Sequence, residues 1–254
     1  MTHKAVVVLS GGLDSTVALY DTIAKDNIVT SAVSFNYGQR HKKELEYAAA
    51  IAGRVGIKHH VIDLWRSGLT EALSTSASSL ITDTEVPEGH YGEESMKATV
   101  VPNRNMIMLS IAGGIAVAEG AHVVVTGVHA GDHFIYPDCR PNFINAASLA
   151  LNRGNEGFGN LKGIAAPFLN KTKDDIAYRA LELQVPLDWT WSCYKGGAVH
   201  CGRCGTCVER LEAINNAVNK WNKAETDIGT GNYVADRTVY EDNQFWLSAI
   251  EKGI

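Results

Sequence analysis

Short runs of β-branched apolar residues recur along the chain, separated by stretches of helical periodicity. The runs at 5–9, 28–35, 60–64 and 121–126 are rich in Val and Ile and do not alternate with polar positions. Such runs suit strands covered on both faces of a parallel sheet. Helical patterns over 15–24, 42–55 and 103–119 fall between them. This strand–helix alternation predicts an α/β fold with a doubly wound parallel sheet. Ligands of such sheets bind beyond the carboxyl ends of the strands, so the loops after Leu9, Phe35 and Thr126 should converge on one site. Residues 67–101 are rich in Ser, Thr, Gly and Glu and read as a long excursion or lid. Past residue 160 the pattern shifts. A short strand is expected at 164–168, and a helix at 174–183 with Thr172 as N-cap and Asp175 three residues on. A further helix is expected at 207–220. The tail from Ala224 carries Phe245 and Trp246 and is expected to dock on the body, because loose exposed aromatics are unusual.

Composition narrows the class. The chain has 254 residues, 45% apolar and 20% charged, which excludes disordered and fibrous proteins. Its net charge of −5 provides no basic excess for binding nucleic-acid phosphates. No apolar run approaches the roughly 18 residues of a membrane span. The opening Met1-Thr2-His3-Lys4 leads straight into the first apolar run, so no signal peptide is expected. The expected setting is the cytoplasm, where five cysteines serve as metal ligands or catalytic groups rather than disulfides.

Ser10-Gly11-Gly12-Leu13-Asp14-Ser15 follows the first strand and opens a helix. Two glycines permit a tight turn against an anion, Ser10 and Ser15 offer hydroxyls, and the helix start offers N–H groups and a positive dipole end. Asp14 would repel phosphate unless a cation lay between them, which points to Mg²⁺. Neither a Walker A loop nor a G-x-G-x-x-G fingerprint is present there. Cys193, Cys201, Cys204 and Cys207 form a C-x7-C-x2-C-x2-C cluster suited to a closed, structural Zn²⁺ site. Cys139 stands apart and reads as a buried apolar residue. Arg104, at a helix start, has the fork to meet phosphate or carboxylate. Asp132, Asp138 and Arg140 crowd one loop with Tyr136, and Lys171 and Lys173 flank the Thr172 cap. The His59-His60 pair reads as structural.

The Ser10–Ser15 string resembles the PP-loop of the N-type ATP pyrophosphatases. With Phe35–His41, Val101–Asn105, Thr126-Gly127, Tyr136–Arg140 and Trp191–Tyr194, the chain from Lys4 to Ala213 resembles the 7-cyano-7-deazaguanine synthase family of the queuosine pathway. The resemblance implies an adenine nucleotide α-hydrolase-like nucleotide-binding domain over 1–165, a zinc-binding helical portion over 166–222 and a homodimer; residues 223–254 are read as a C-terminal tail beyond them. It implies an ATP-dependent carbon–nitrogen ligase taking 7-carboxy-7-deazaguanine and ammonia to the nitrile through adenylated carboxylate and amide, without nucleic-acid or membrane partners. Carried onto this chain, ATP would meet Leu9, Ser10, Gly11, Gly12, Leu13, Asp14, Ser15, Thr16, Val17, Ala18, Leu19, Phe35 and Gly127, with Mg²⁺. Ser10, Asp14, Ser15 and Arg104 would be catalytic. Tyr37, Gln39, Arg40, Asp132, Tyr136, Asp138 and Arg140 would hold the substrate. The loop Gly131–Ile135, where many members carry Ser-Gly before the tyrosine, and the tail past 222 depart from the family pattern. Three alternatives stay open: an enzyme stopping at the amide, a tRNA thiolase with Cys139 as the sulfur, and a zinc-dependent nucleic-acid-binding module.

Overall fold

The computed structural model describes residues 2–73, 78–92, 96–228 and 234–252. Five parallel strands form one sheet: β1 (Lys4–Val8), β2 (Ile28–Asn36), β3 (Lys58–Asp63), β4 (Val123–Val125) and β5 (Gly163–Ala165), in the order β3-β2-β1-β4-β5. β1 is central because both of its faces are apolar. Ala5, Val7 and Leu9 enter one core cluster and Val6 enters the other, all fully buried. The first cluster is covered by α1 (Leu13–Ala24), α2 (Lys43–Val55), α6 (Lys173–Glu182) and α7 (Gly205–Ile228), and the second by α4 (Arg104–Ala118) and α5 (Pro141–Gly154). A short α3 (Leu69–Leu73) precedes α4, and α8 (Phe245–Lys252) packs on α7.

The chain runs from β1 outward to β3, then returns past β1 to form β4. The strand order therefore reverses between β1 and β4, and their diverging carboxyl ends leave a crevice. Among the described residues no helix is long and apolar enough to cross a membrane.

Several expectations change in detail. The fourth and fifth strands keep only three residues each. The helix Pro141–Gly154 was not expected, although Pro141 suits its first turn and Ile144, Ala147 and Leu151 line its buried side. The excursion at 67–101 includes residues 74–77 and 93–95, which lie outside the described residues. Its described part is a packed wall. Leu80 and Met96 are buried in the second core cluster, and the Ser79 N–H donates to Ala98 O at 2.7 Å. The tail docks as expected, with the Arg203 guanidinium 4.6 Å from the Phe245 ring centroid.

Glu119, closing α4, ties that helix to two strands. Its Oε2 accepts from the hydroxyls of Thr30 at 2.8 Å and Ser31 at 2.7 Å, while Oε1 lies 2.9 Å from His60 Nε2. Burial alone would raise its carboxyl, but these hydrogen bonds and Lys58 bring it from 4.5 down to about 2. Because the folded value is depressed, this contribution is full above the ordinary value of 4.5 and is lost as pH falls through about 2. Glu119→Gln is expected to lower stability at neutral pH by about 1–3 kcal/mol. Urea melts across pH 2 to 7 should also show a flatter acid limb in the variant than in the wild type.

Candidate active site

A cavity of about 220 Å³ opens at the carboxyl ends of β1, β2 and β4. The loop Ser10–Ser15 forms its floor. Its hydroxyls organise one another: Ser15 Oγ accepts from Ser10 N–H at 3.1 Å, and Ser10 Oγ accepts from Gly12 N–H at 3.2 Å. Gly12, Leu13, Asp14 and Ser15 line the cavity, so the positive end of the α1 dipole opens onto it. Two glycines are required by geometry. Gly11 has φ +84°, and a Cβ there would lie 2.3 Å from Glu44 O. Gly127 follows β4, and a Cβ there would lie 2.8 Å from Ser15 N. Bare backbone thus lets the β4 loop close against the first turn of α1.

Beside the loop, the Lys173 ammonium sits between Asp14 Oδ2 at 2.7 Å and Glu209 Oε2 at 3.3 Å. Burial alone would raise the Asp14 carboxyl, but Lys173 and His129 outweigh it and hold Asp14 below the ordinary carboxylate value. Burial of Glu209 prevails over the same lysine and raises its carboxyl. Lys173 remains charged, because its carboxylate neighbours outweigh its desolvation. Asp132 continues this wall, accepting from Tyr91 Oη–H at 3.1 Å and standing 3.6 Å from His129 Nε2.

The opposite wall is cationic and aromatic. The Arg104 guanidinium lies 5.9 Å from the ring centroids of both Tyr37 and Tyr136, and Tyr194 lines the same wall. Burial raises the phenols of Tyr37, Tyr136 and Tyr194, which therefore stay neutral at physiological pH. Trp191 and Ser192 complete the enclosure, with Trp191 N–H donating to Gly11 O at 2.8 Å.

Residues 4–218 match the family described as queuosine biosynthesis protein QueC. The chain belongs to this family. It is 50% identical over 246 residues to the 7-cyano-7-deazaguanine synthase of Allorhizobium ampelinum, spanning 97% of this chain and 96% of that one. It is 49% identical over 249 residues to the synthase of the same name from Brucella anthropi, spanning 98% of each chain. Among solved structures, NMN synthetase from Francisella tularensis aligns with a TM-score of 0.45 at 17% identity, over 97% of this chain and 84% of that one.

In this QueC-family chain, Leu9, Ser10, Gly12, Leu13, Asp14, Ser15, Phe35, Tyr37, Arg104, Gly127, Asp132 and Tyr136 all line the cavity. Other expected contacts sit elsewhere. Thr16, Val17, Ala18 and Leu19 are fully buried in α1, beyond the loop. Gln39 does not line the cavity. It is a buried brace whose amide donates to Phe35 O at 3.0 Å and Glu44 Oε1 at 2.8 Å and accepts from Tyr37 N–H at 2.9 Å. Arg40 turns outward to Thr84 O at 3.1 Å, and Arg140 Nε donates to His133 O at 2.6 Å. Asp138 does not line the cavity; its Oδ2 accepts from the Asn105 N–H in the first turn of α4 at 3.1 Å. Cys139, by contrast, lines the cavity although largely buried, and its thiol is pushed upward chiefly by burial. Glu209, His129 and Tyr91 were missed. The available signal for Glu209 was a carboxylate on the apolar side of a helix beginning at the cysteine cluster.

The cysteine cluster fits a metal ion. The four Sγ atoms lie within 4.8 Å of one another, and all four residues are buried. Cys201 and Cys207 sulfurs stand 3.9 Å apart, close to the roughly 3.8 Å edge that a tetrahedron of 2.3 Å Zn–S bonds requires. The N–H groups of Arg203 and Cys204 donate to Cys201 Sγ at 3.4 and 3.3 Å, supporting a thiolate. Cys204→Ala is expected to lower the melting temperature by about 10 °C or more, with elemental analysis showing loss of bound zinc. Zinc-free wild-type protein melting at its usual temperature would refute a structural metal.

Proposed function

We propose that the chain is a 7-cyano-7-deazaguanine synthase, an ATP-dependent ligase that turns 7-carboxy-7-deazaguanine and ammonia into the nitrile. The observation that carries this reading is the shared cavity. A phosphate-type glycine loop and a cationic, aromatic wall face one another at the sheet's switch point. Membership of the queuosine biosynthesis family supports the substrate.

The chemistry follows from a leaving-group problem. A carboxylate oxygen leaves poorly, so it must first be made part of a better leaving group. The carboxylate oxygen attacks the α-phosphorus of ATP, the bond to the β-phosphate oxygen breaks, and pyrophosphate departs. Ammonia then adds to the acyl carbon, the carbon–oxygen bond to AMP breaks, and a proton is released with formation of the amide. The amide oxygen attacks the α-phosphorus of a second ATP, again expelling pyrophosphate. Loss of the nitrogen protons and cleavage of the carbon–oxygen bond leave the nitrile and AMP.

The residues serve these steps by charge management. Ser10–Ser15 and the α1 N-terminus bind the departing phosphates. Asp14 would repel them unaided, and its Oδ1 is buried without a partner in the described structure. That orphan oxygen, with Glu209 nearby across Lys173, fits Mg²⁺ accompanying the nucleotide, which when bound neutralises phosphate charge. Carboxylate and phosphate drawn to within 4 Å at an effective dielectric of 20 repel by about 4 kcal/mol, so cations on the wall are needed. Tyr37 and Tyr136, which line the cavity, are the neutral aromatic side chains available to a purine-like ring.

Incubation with the acid, ATP, Mg²⁺ and ammonia is expected to yield the nitrile by mass spectrometry, with AMP and pyrophosphate as co-products. Accumulation of ADP, or acid left unchanged, would overturn the assignment, and arrest at the amide would select the truncated reaction. Asp14→Asn is expected to abolish pyrophosphate release while the far-UV circular dichroism stays that of the wild type. Wild-type turnover in that variant would remove Asp14 from the site.

A further inference from the structure

Leaving histidines aside, the described residues lining the cavity include two cations, Lys173 and Arg104. They differ in one respect. Lys173 is already neutralised, held between Asp14 at 2.7 Å and Glu209 at 3.3 Å. Arg104 has no ion-pair partner among the described residues. Its neighbours are the rings of Tyr37 and Tyr136, each with its centroid 5.9 Å from the guanidinium carbon, and the adjoining Tyr194. Burial keeps these phenols protonated, so none of them is a counter-ion. Asp138, the carboxylate near this helix start, acts on Arg104 from beyond ion-pair distance and accepts the Asn105 N–H at 3.1 Å.

A guanidinium cannot escape the imbalance by losing its proton. Partly withdrawn from water against aromatic rings, it calls for an anion from outside the chain. The backbone is shaped to present it there. Asn103, immediately before, holds φ +56°, a left-handed conformation that is costly for a residue with a side chain. Arg104 then opens a fifteen-residue helix whose positive dipole end adds to its charge. Its planar fork matches a carboxylate through two parallel hydrogen bonds.

We propose that Arg104, set in the wall formed by Tyr37, Tyr136 and Tyr194, is the recognition site for the substrate carboxylate, and that it serves the first activation but not the second. The proposal rests on the two-stage reading above. The acid is an anion and satisfies the guanidinium. The amide is neutral and forms at most an ordinary hydrogen bond with it. ATP is consumed in both stages, so a residue that instead held a phosphate would matter equally to both.

The test uses the full-length, metal-loaded protein, supplied separately with the acid and with the synthetic amide. Arg104→Gln is expected to lower kcat/KM for the acid by about 100-fold or more, and for the amide by about 10-fold at most. Arg104→Lys should recover part of the loss for the acid, since it restores the charge without the fork. Calorimetric titration without ATP should show the same split in the dissociation constants of acid and amide. Retained binding or turnover of the amide shows that the variant is folded. Equal losses for both ligands would assign Arg104 to a phosphate or to the framework and overturn the proposal, as would unchanged affinity for the acid. Wild-type protein that releases AMP with neither compound would remove the two-stage reading itself, and the proposal with it.

Discussion

A buried ammonium shared by two carboxylates holds the cavity end of this molecule together. Lys173 reaches Asp14 at 2.7 Å and Glu209 at 3.3 Å. These three residues belong to separate parts of the chain: the first turn of α1, the first turn of α6, and α7. One charge therefore joins the phosphate loop to both helices of the C-terminal portion. The arrangement is demanding, because removing the lysine would leave two enclosed carboxylates facing each other. The Thr172–Asp175 capping box, with both of its hydrogen bonds formed, starts α6 where Lys173 must stand.

That cluster divides the cavity electrically. At the loop end one ammonium faces two carboxyl groups, with Asp132 further along the same wall, beside the positive end of the α1 dipole. At the other end a guanidinium stands among neutral phenols. In the proposed reaction this division lets two mutually repelling anions be held by separate groups. Cys139, the sulfur that the thiolase alternative would need, lines the cavity, but burial holds its thiol in the uncharged form.

The cysteine cluster adjoins the cavity on two sides. Cys193 is flanked by Ser192 and Tyr194, and Cys207 is preceded by Thr206 and followed two residues later by Glu209; all four neighbours line the cavity. The tail reinforces this wall. The fully buried Arg210 donates to Leu187 O at 2.7 Å, to Thr190 Oγ1 at 2.7 Å and to Tyr240 Oη at 3.0 Å, binding the segment before the cluster to the segment after α7.

Local sequence determined the parallel strands, the glycine loop opening α1, the Thr172 cap and the four cysteines suited to a metal ion. Each rests on neighbours in the chain: unbroken apolar runs, glycines at a strand end, a hydroxyl three residues before an acid, and close cysteine spacing. The strand order, and therefore the crevice between β1 and β4, was decided only by tertiary structure. So was the separation of look-alike polar residues. Tyr37 and Gln39 are two positions apart, yet one faces the cavity and the other braces the loop beneath it. Asp132 and Asp138 share one short loop, yet only Asp132 faces the cavity. Glu209 drew no notice as a charge in a helix and became a site residue once folding set Lys173 beside it. Whether a charge is paired depends on groups distant in sequence, and spacing along the chain does not carry that information.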